Sequence, residues 1–263
     1  MDGCVAASDT PAVARVRALL DGTDVESLRE RVVASETPWE GRIFSVETDV
    51  VVLPDGSESG REIVRHRGGC CVVAVRDGRV CLVRQWRVAL GRVTLELPAG
   101  KLEAGEDPVE CARRELSEET GLSCECLEQV ALSNGSPGFT DELTRVYRAH
   151  GLSEGSAHLD SGEYVDVVWA DLEDVAAAIR AGVVRDSKTV VGVLSELARR
   201  ERFGPVGTSR QETKKPRLGG GAGRALVRSE GLEPSTGGLE VRYSIQLSYE
   251  RLTIAILTRG QGL

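Results

Sequence analysis

The sequence predicts an α+β protein, and three observations predict it. Strand-like and helix-like segments alternate along residues 43–202 without the regular strand–helix–strand spacing of a parallel α/β fold. One segment, residues 107–121, carries helix signals at both of its ends. No period of similar residues recurs, so repeat architectures are excluded.

The elements follow in order. Residues 11–35 read as weakly helical. Alternating apolar residues over 43–52, a turn at Pro54-Asp55-Gly56 and a second run through Ile63-Val64 predict a strand–turn–strand unit. Residues 70–75 and 80–84 flank Arg76-Asp77-Gly78, where Asp-Gly is a hairpin turn signal. A short strand over 94–97 is stopped by Pro98. In the helix at 107–121, Asp107 is placed to cap the start, Pro108 occupies the first turn and Gly121 follows the last. Val109, Ala112 and Leu116 then share its apolar face. Residues 126–132, 143–149 and 164–169 read as strands, the first two separated by a loop. Residues 171–181 and 186–202 read as helices, each opened by an aspartate.

Composition bounds the function. The chain has 263 residues, 41% hydrophobic and 28% charged, which suits a soluble globule. No run is apolar enough to span a bilayer, and the start lacks the pattern of a secretory signal. Seven scattered cysteines give neither a disulfide framework nor paired zinc motifs, so a cytoplasmic location is expected. The net charge of −8 is uneven: residues 204–263 hold nine Lys/Arg and five Asp/Glu, leaving 24 basic against 36 acidic residues in the body. An acidic body argues against nucleic-acid binding, and an anionic ligand would need local arginines or metal ions.

The chemistry concentrates in residues 100–122. Glu115, Glu118 and Glu119 are spaced i, i+3 and i+4, so their carboxylates share one side of the helix. Like charges so placed repel, whereas Mg²⁺ seeks a few carboxylate oxygens with room left for phosphate and water. Arg114, four residues before Glu118, can orient it. A Pro-Ala-Gly loop precedes the segment and offers the Ala99 carbonyl as a further oxygen. The plain alternative is a solvated charged face, the usual reading of a charge run.

These residues match the pattern G-x5-E-x7-R-E-U-x-E-E-x-G-U, with U aliphatic, at all nine specified positions without a gap. The segment thus resembles the Nudix box. The resemblance implies the Nudix fold, an α/β/α sandwich around a mixed sheet, and metal-dependent hydrolysis of a nucleoside diphosphate linked to another group. By position, it makes Glu115, Glu118 and Glu119 metal ligands with the Ala99 carbonyl, and Arg114 their support. The cofactor implied is Mg²⁺, with Mn²⁺ as the alternative ion.

The flanks narrow the resemblance. Gln85-Trp86-Arg87, Glu96-Leu97-Pro98-Ala99-Gly100 and the loop from Ser136 to Glu142 look like the ADP-ribose pyrophosphatase subfamily, with Pro137 fifteen residues beyond Leu122. Trp86 stands where the subfamily often has Tyr. The likeness covers residues 38–203 and implies release of AMP and ribose 5-phosphate from ADP-ribose. It implies a homodimer, in which the N-terminal antiparallel strand unit exchanges with a second subunit and helps build the substrate pocket. The expected organisation is an N-terminal region at 1–66, a catalytic domain at 67–203 and a tail at 204–263.

The water that attacks phosphorus needs a base at hydrogen-bond range. Glu142, on the loop after Pro137, is the expected base, and Glu119 the alternative. Arg87 is expected to contact phosphate. Arg61 and Glu62 are candidate pocket residues from the exchanged element, and Gly100 and Pro137 are candidate substrate contacts. Trp39 and Phe44 are the aromatic residues of the N-terminal unit, with core packing expected of each. His66, His150 and His158 show no metal spacing. Cys111 reads as a small apolar filler. Other ADP-sugars or dinucleotides remain alternatives within the enzyme class, and an idle nucleotide sensor is the alternative outside it.

The tail is Gly-rich and basic, then mixed. Its ordinary reading is a disordered linker with a small appended element. The preferred reading is different. With suitably chosen codons, residues 228–251 can be back-translated so that the complementary strand carries transfer-RNA arms in order: a T-arm opposite 231–234, an anticodon stem opposite 237–242 and a D-arm opposite 243–249. The tail is then antisense translation across such a gene, never shaped to fold.

Overall fold

The structure is a computed structural model that describes residues 10–20, 25–159 and 162–203. The expectations for residues 204–263 lie outside the described residues.

Helix α1 (Pro11–Leu20) buries no residue. It is followed by strand β1 (Arg31–Glu40), which corrects the helical reading of residues 31–35. All ten of its positions are exposed, so no periodic apolar signal marked it. It exists because β2 (Phe44–Val52) pairs with it. Strand β3 (Glu58–His66) continues this antiparallel sheet in the order β1-β2-β3. The β2–β3 turn forms as expected: Asp55 Oδ1 accepts from the Ser57 amide at 2.9 Å, and Gly56 takes φ +84°. Trp39 and Phe44 touch, with ring centroids 4.9 Å apart, but they are 48% and 38% exposed rather than core.

Two further sheets form the body. Strand β4 (Gly69–Val73) runs parallel to β10 (Leu143–Glu154), which pairs antiparallel with β9 (Leu122–Asn134); the short β8 (Ala99–Lys101) pairs on the other side of β4. In the third sheet, β6 (Arg79–Arg87) lies between β11 (Val165–Asp171) and the two-residue β5 (Val75–Arg76), and also pairs with β7 (Arg92–Glu96). The turn at Asp77 (φ 50°) and Gly78 (φ +80°) forms where Asp-Gly predicted it. The hairpin is shorter than the sequence suggests. Only Val75 and Arg76 pair with β6, because β4 has already joined a different sheet through β10.

Successive residues of β4 feed opposite layers. Cys70 and Val72 join one core with Cys111, Ala112, Leu116 and Tyr147. Cys71 and Val73 join another with Leu82, Leu97, Leu172, Val175 and Val193. Helix α2 (Pro108–Thr120) therefore covers one face, and α3 (Leu172–Arg180) and α4 (Ser187–Phe203) the other. Each fully buried leucine or valine contributes about 1.5–3 kcal/mol, so this double core fixes α2 firmly on the sheets. Asp171 caps α3, accepting from the Glu173 amide at 2.9 Å, and the Thr189 amide donates to Asp186 Oδ2 at 3.0 Å at the start of α4. Among the described residues, no helix is long and apolar enough to cross a membrane.

Candidate active site

Helix α2 carries the acidic ridge, and its ends form as the sequence predicts. Asp107 Oδ1 accepts from the amides of Val109 (2.8 Å) and Glu110 (3.3 Å), and Gly121 closes the helix at φ 70°. Cys111, Ala112 and Leu116 are buried completely. With that face locked, Arg114, Glu115, Glu118 and Glu119 must turn elsewhere.

Arg114 is the hub. Its Nε donates to Glu106 Oε1 at 2.8 Å and its Nη2 to Glu106 Oε2 at 3.1 Å. Its Nη1 donates to Glu115 Oε1 at 2.8 Å and to Glu118 Oε2 at 3.0 Å. The orientation of Glu118 by Arg114 follows the helical spacing. The sequence reading gave Glu106 no role, yet it seats the guanidinium. Hydrogen bonding from Arg114 holds the Glu106 carboxyl down at about 2. Glu119 is 6% exposed, and its Oε2 accepts from the Ala99 amide at 2.8 Å. Burial raises its carboxyl to about 7, with Glu115 and Glu163 adding repulsion against the relief from Ala99. Burial also raises Glu115, opposed by Arg114.

The ridge borders a cleft of about 370 Å³. Arg87, Ala99, Gly100, Arg114, Glu115, Glu119 and Glu142 line it, so seven of the sequence-predicted residues come together from four segments. Glu118 does not line the cleft, and its carboxylate is held by Arg114. Arg61, Glu62 and Pro137 do not line it either. Arg61 Nε instead donates to Glu30 Oε2 at 2.8 Å, and Glu62 and Pro137 are exposed.

The residues suit a hard divalent cation by chemistry. Carboxylates and a backbone carbonyl are oxygen donors of the kind Mg²⁺ takes. Two of the carboxylates, Glu115 and Glu119, are largely desolvated and raised, which a cation would reverse. Their present arrangement is not a cage: among the described residues, no three acidic or His/Cys side chains converge on one point. Glu115 and Glu118 face Arg114, and Glu119 faces the Ala99 amide. Metal binding would have to compete with these partners.

The loop bearing Glu142 is fastened to β3. The Val64 amide donates to Phe139 O at 2.7 Å, and Asp141 Oδ1 accepts from the His66 amide at 2.9 Å. His66 Nδ1 accepts from the Gly68 amide at 2.9 Å and lies 3.8 Å from Glu142 Oε1. His66 thus gains a place at the cleft that its sequence position did not signal.

Two more cleft residues escaped the sequence reading. Glu163 lines the cleft from the segment before β11, and its charge is felt by both Glu115 and Glu119. It belongs to no local motif, so only the fold could reveal it. Lys188 reaches the cleft from α4 and donates to Glu96 Oε2 at 2.5 Å and Asp186 Oδ1 at 2.8 Å. Arg87 donates to both oxygens of the same Glu96, each at 2.8 Å. Glu96 is 2% exposed; its burial, which would raise it, is outweighed by these cations, and it is held at about 2.

The chain is similar to known proteins. The model of the NUDIX domain family matches residues 64–190. The chain is 42% identical over 167 residues to the methanol dehydrogenase activator of Bacillus methanolicus, covering 62% of this chain and 90% of that protein. It is 40% identical over 172 residues to the ADP-ribose pyrophosphatase of Bacillus subtilis, covering 64% and 93%. It is 38% identical over 167 residues to the ADP-ribose pyrophosphatase of Mycobacterium tuberculosis, covering 62% and 81%. The crystal structure of an ADP compounds hydrolase has a TM-score of 0.61 at 21% identity, covering 68% of this chain and 98% of that one, which is a likeness of fold.

Proposed function

From its membership of the NUDIX family, to which this chain belongs, we propose that the protein hydrolyses the diphosphate bond of ADP-ribose to AMP and ribose 5-phosphate. The observation that carries this reading is the Arg114-centred carboxylate ridge, set at a cleft, in a chain 40% identical to an ADP-ribose pyrophosphatase. Mg²⁺ is the proposed cofactor, with Mn²⁺ as the alternative, and Glu115, Glu118, Glu119 and the Ala99 carbonyl would hold it. When bound, the ion neutralises the diphosphate and lowers the pKa of bound water.

The chain's own residues supply the rest. Arg87 sits at the cleft with its guanidinium anchored on Glu96, poised for phosphate oxygens with little ordering cost. Gly100, lacking a side chain, makes room for the Glu115 carboxylate itself. Glu142 is the proposed base, because it lines the cleft on an anchored loop with its carboxylate 40% exposed. Glu163 is a second reading for the base, since it lines the same cleft as Glu115 and Glu119. Replacing each by Gln separates them: the true base loses on the order of 10²–10⁴ in turnover and the other far less.

The proposed state is a homodimer, with region 1–66 as the exchanged element and Arg61 and Glu62 reaching a partner's cleft. Trp39 and Phe44 support it: they are in contact across β1 and β2 and are 48% and 38% exposed, and contiguous exposed apolar surface marks an interaction site. A cytoplasmic location is proposed with it on the five free thiols among the described residues, which stay reduced there, while Cys126 is disulfide-bonded.

The test is incubation of the purified chain with ADP-ribose and Mg²⁺ and assay for AMP. AMP release by the chain alone supports hydrolysis. Binding without cleavage favours a sensor, and faster cleavage of another ADP-sugar moves the substrate. A requirement for a second protein would favour a role of the kind named for the Bacillus methanolicus relative.

A further inference from the structure

Five free thiols lie among the described residues, and two of them meet. Cys70 on β4 and Cys111 on α2 are 1% and 0% exposed and are neighbours in one buried cluster, near enough for each thiol to perturb the other. Their backbones belong to elements that pack directly on each other. Cys70 Sγ also lies 3.2 Å from Pro108 O in the first turn of α2, and Cys111 Sγ lies 3.7 Å from Lys101 O on β8. Arg114 Nη2, on the hub of the ridge, is 3.7 Å from Cys111 Sγ. Cys70 also lines the cleft, which gives a small polar reagent a way in.

We propose that Cys70 and Cys111 are a redox modification site: a hydroperoxide joins them as a disulfide, and that bond turns the cleft off. The atoms balance. The Cys70 sulfur attacks the peroxide, the O–O bond breaks, and water or an alcohol leaves with Cys70 as a sulfenic acid. The Cys111 sulfur then attacks Cys70, the S–O bond breaks, and a water leaves. Two thiols are oxidised by two electrons and one peroxide is reduced.

The consequence follows from where Cys111 sits. A covalent bond is shorter than any contact between two thiols, so its formation draws the first turns of α2 towards β4. It removes the Cys111 S–H from Lys101 O and changes the sulfur beside Arg114. Since Arg114 holds Glu106, Glu115 and Glu118 together, these three carboxylates shift with it, away from Glu119, which the Ala99 amide holds. Burial pushes Cys71 and Cys81 up to about 12, and Cys111 is raised too, by Cys70 first and then by burial, so Cys70 alone of these four is lowered. Cys70 is held below the ordinary thiol value by its neighbour Cys111, against its burial and with help from Arg145.

The bond itself is independent of what the cleft hydrolyses; its effect on turnover rests on the ADP-ribose reading. The full chain is titrated with hydrogen peroxide, remaining thiols are alkylated, and peptides are mapped without reductant. The expected result is a linked Cys70–Cys111 peptide, loss of the Mg²⁺-dependent rise in melting temperature, and a fall in AMP release on the order of 10²-fold. Dithiothreitol should restore all three, and Cys111→Ala should keep its melting response after peroxide. Recovery of both cysteines as alkylated thiols, or linkage of Cys70 to Cys81 instead, overturns the proposal without using any variant. A complete Cys70–Cys111 link with an unchanged melting response overturns the switch. A chain that never releases AMP refutes the substrate reading alone, since the linked peptide and the melting response are still read.

Discussion

A Cβ on Gly100 would lie 1.8 Å from Oε1 of Glu115. The glycine that opens the box and the first glutamate of the ridge are therefore packed against each other across 15 residues of sequence. A methyl group there displaces a carboxylate at the end of a flexible side chain rather than backbone. Gly100→Ala should fold with a melting temperature close to that of the unmodified chain, yet lose on the order of 100-fold in turnover, the cost of a misplacement near 1 Å. Thermal melts and steady-state kinetics on the same preparation check this. A large drop in melting temperature would mean that β8 itself cannot take the side chain.

Glu119 makes the pH dependence specific. Its carboxyl is raised to about 7 in the folded chain, chiefly by burial, from an ordinary 4.5. Between those values the folded state holds a proton that the unfolded state has released, so the metal-free chain loses stability as pH rises through that window. Mg²⁺ needs the ionised carboxylate, so the rise in melting temperature that Mg²⁺ produces should grow as pH passes about 7. Glu119→Gln should flatten both trends. A Mg²⁺ response independent of pH would remove Glu119 from the ligand set.

The box helix was legible because its signals are local. Asp107, Pro108 and Gly121 mark the ends, and the spacing of Glu115, Glu118 and Glu119 marks the face. What escaped has partners far away in sequence. Strand β1 has no buried position, so nothing in its pattern opposed a helix until β2 paired with it. Strand β4 left its hairpin because β10, more than seventy residues later, runs parallel to it. Glu163 and Lys188 reach the cleft only through the β11 and α4 placements. Cys111, read as a filler, does fill the core, but its neighbour Cys70 could not be known from the sequence.

Glu96 ties the phosphate-facing side of the cleft to the core. It is 2% exposed and takes hydrogen bonds from Arg87, Lys188 and Thr94. Glu96→Ala should destabilise the fold by about 3 kcal/mol, since it leaves a buried cation short of its partner. Denaturant unfolding measures this, and KM should rise with it as Arg87 loses its anchor. Stability unchanged in this variant would mean that Asp186 alone satisfies Lys188 and that Arg87 finds water.

The tail offers the last expectation. The NUDIX match ends at residue 190, and α4 ends at Phe203. The alignments with the two Bacillus relatives span 90% and 93% of those proteins while leaving more than a third of this chain uncovered. A chain ending at Phe203 should therefore retain the full kcat/KM for ADP-ribose. A tenfold loss would show that the tail supports the cleft or the dimer. Full activity together with a transfer-RNA cloverleaf on the DNA strand opposite codons 228–251 would identify the tail as read-through of a neighbouring gene. Genomic sequence without a cloverleaf removes that origin. In that case its nine basic residues, in an otherwise acidic protein, call for a partner of their own.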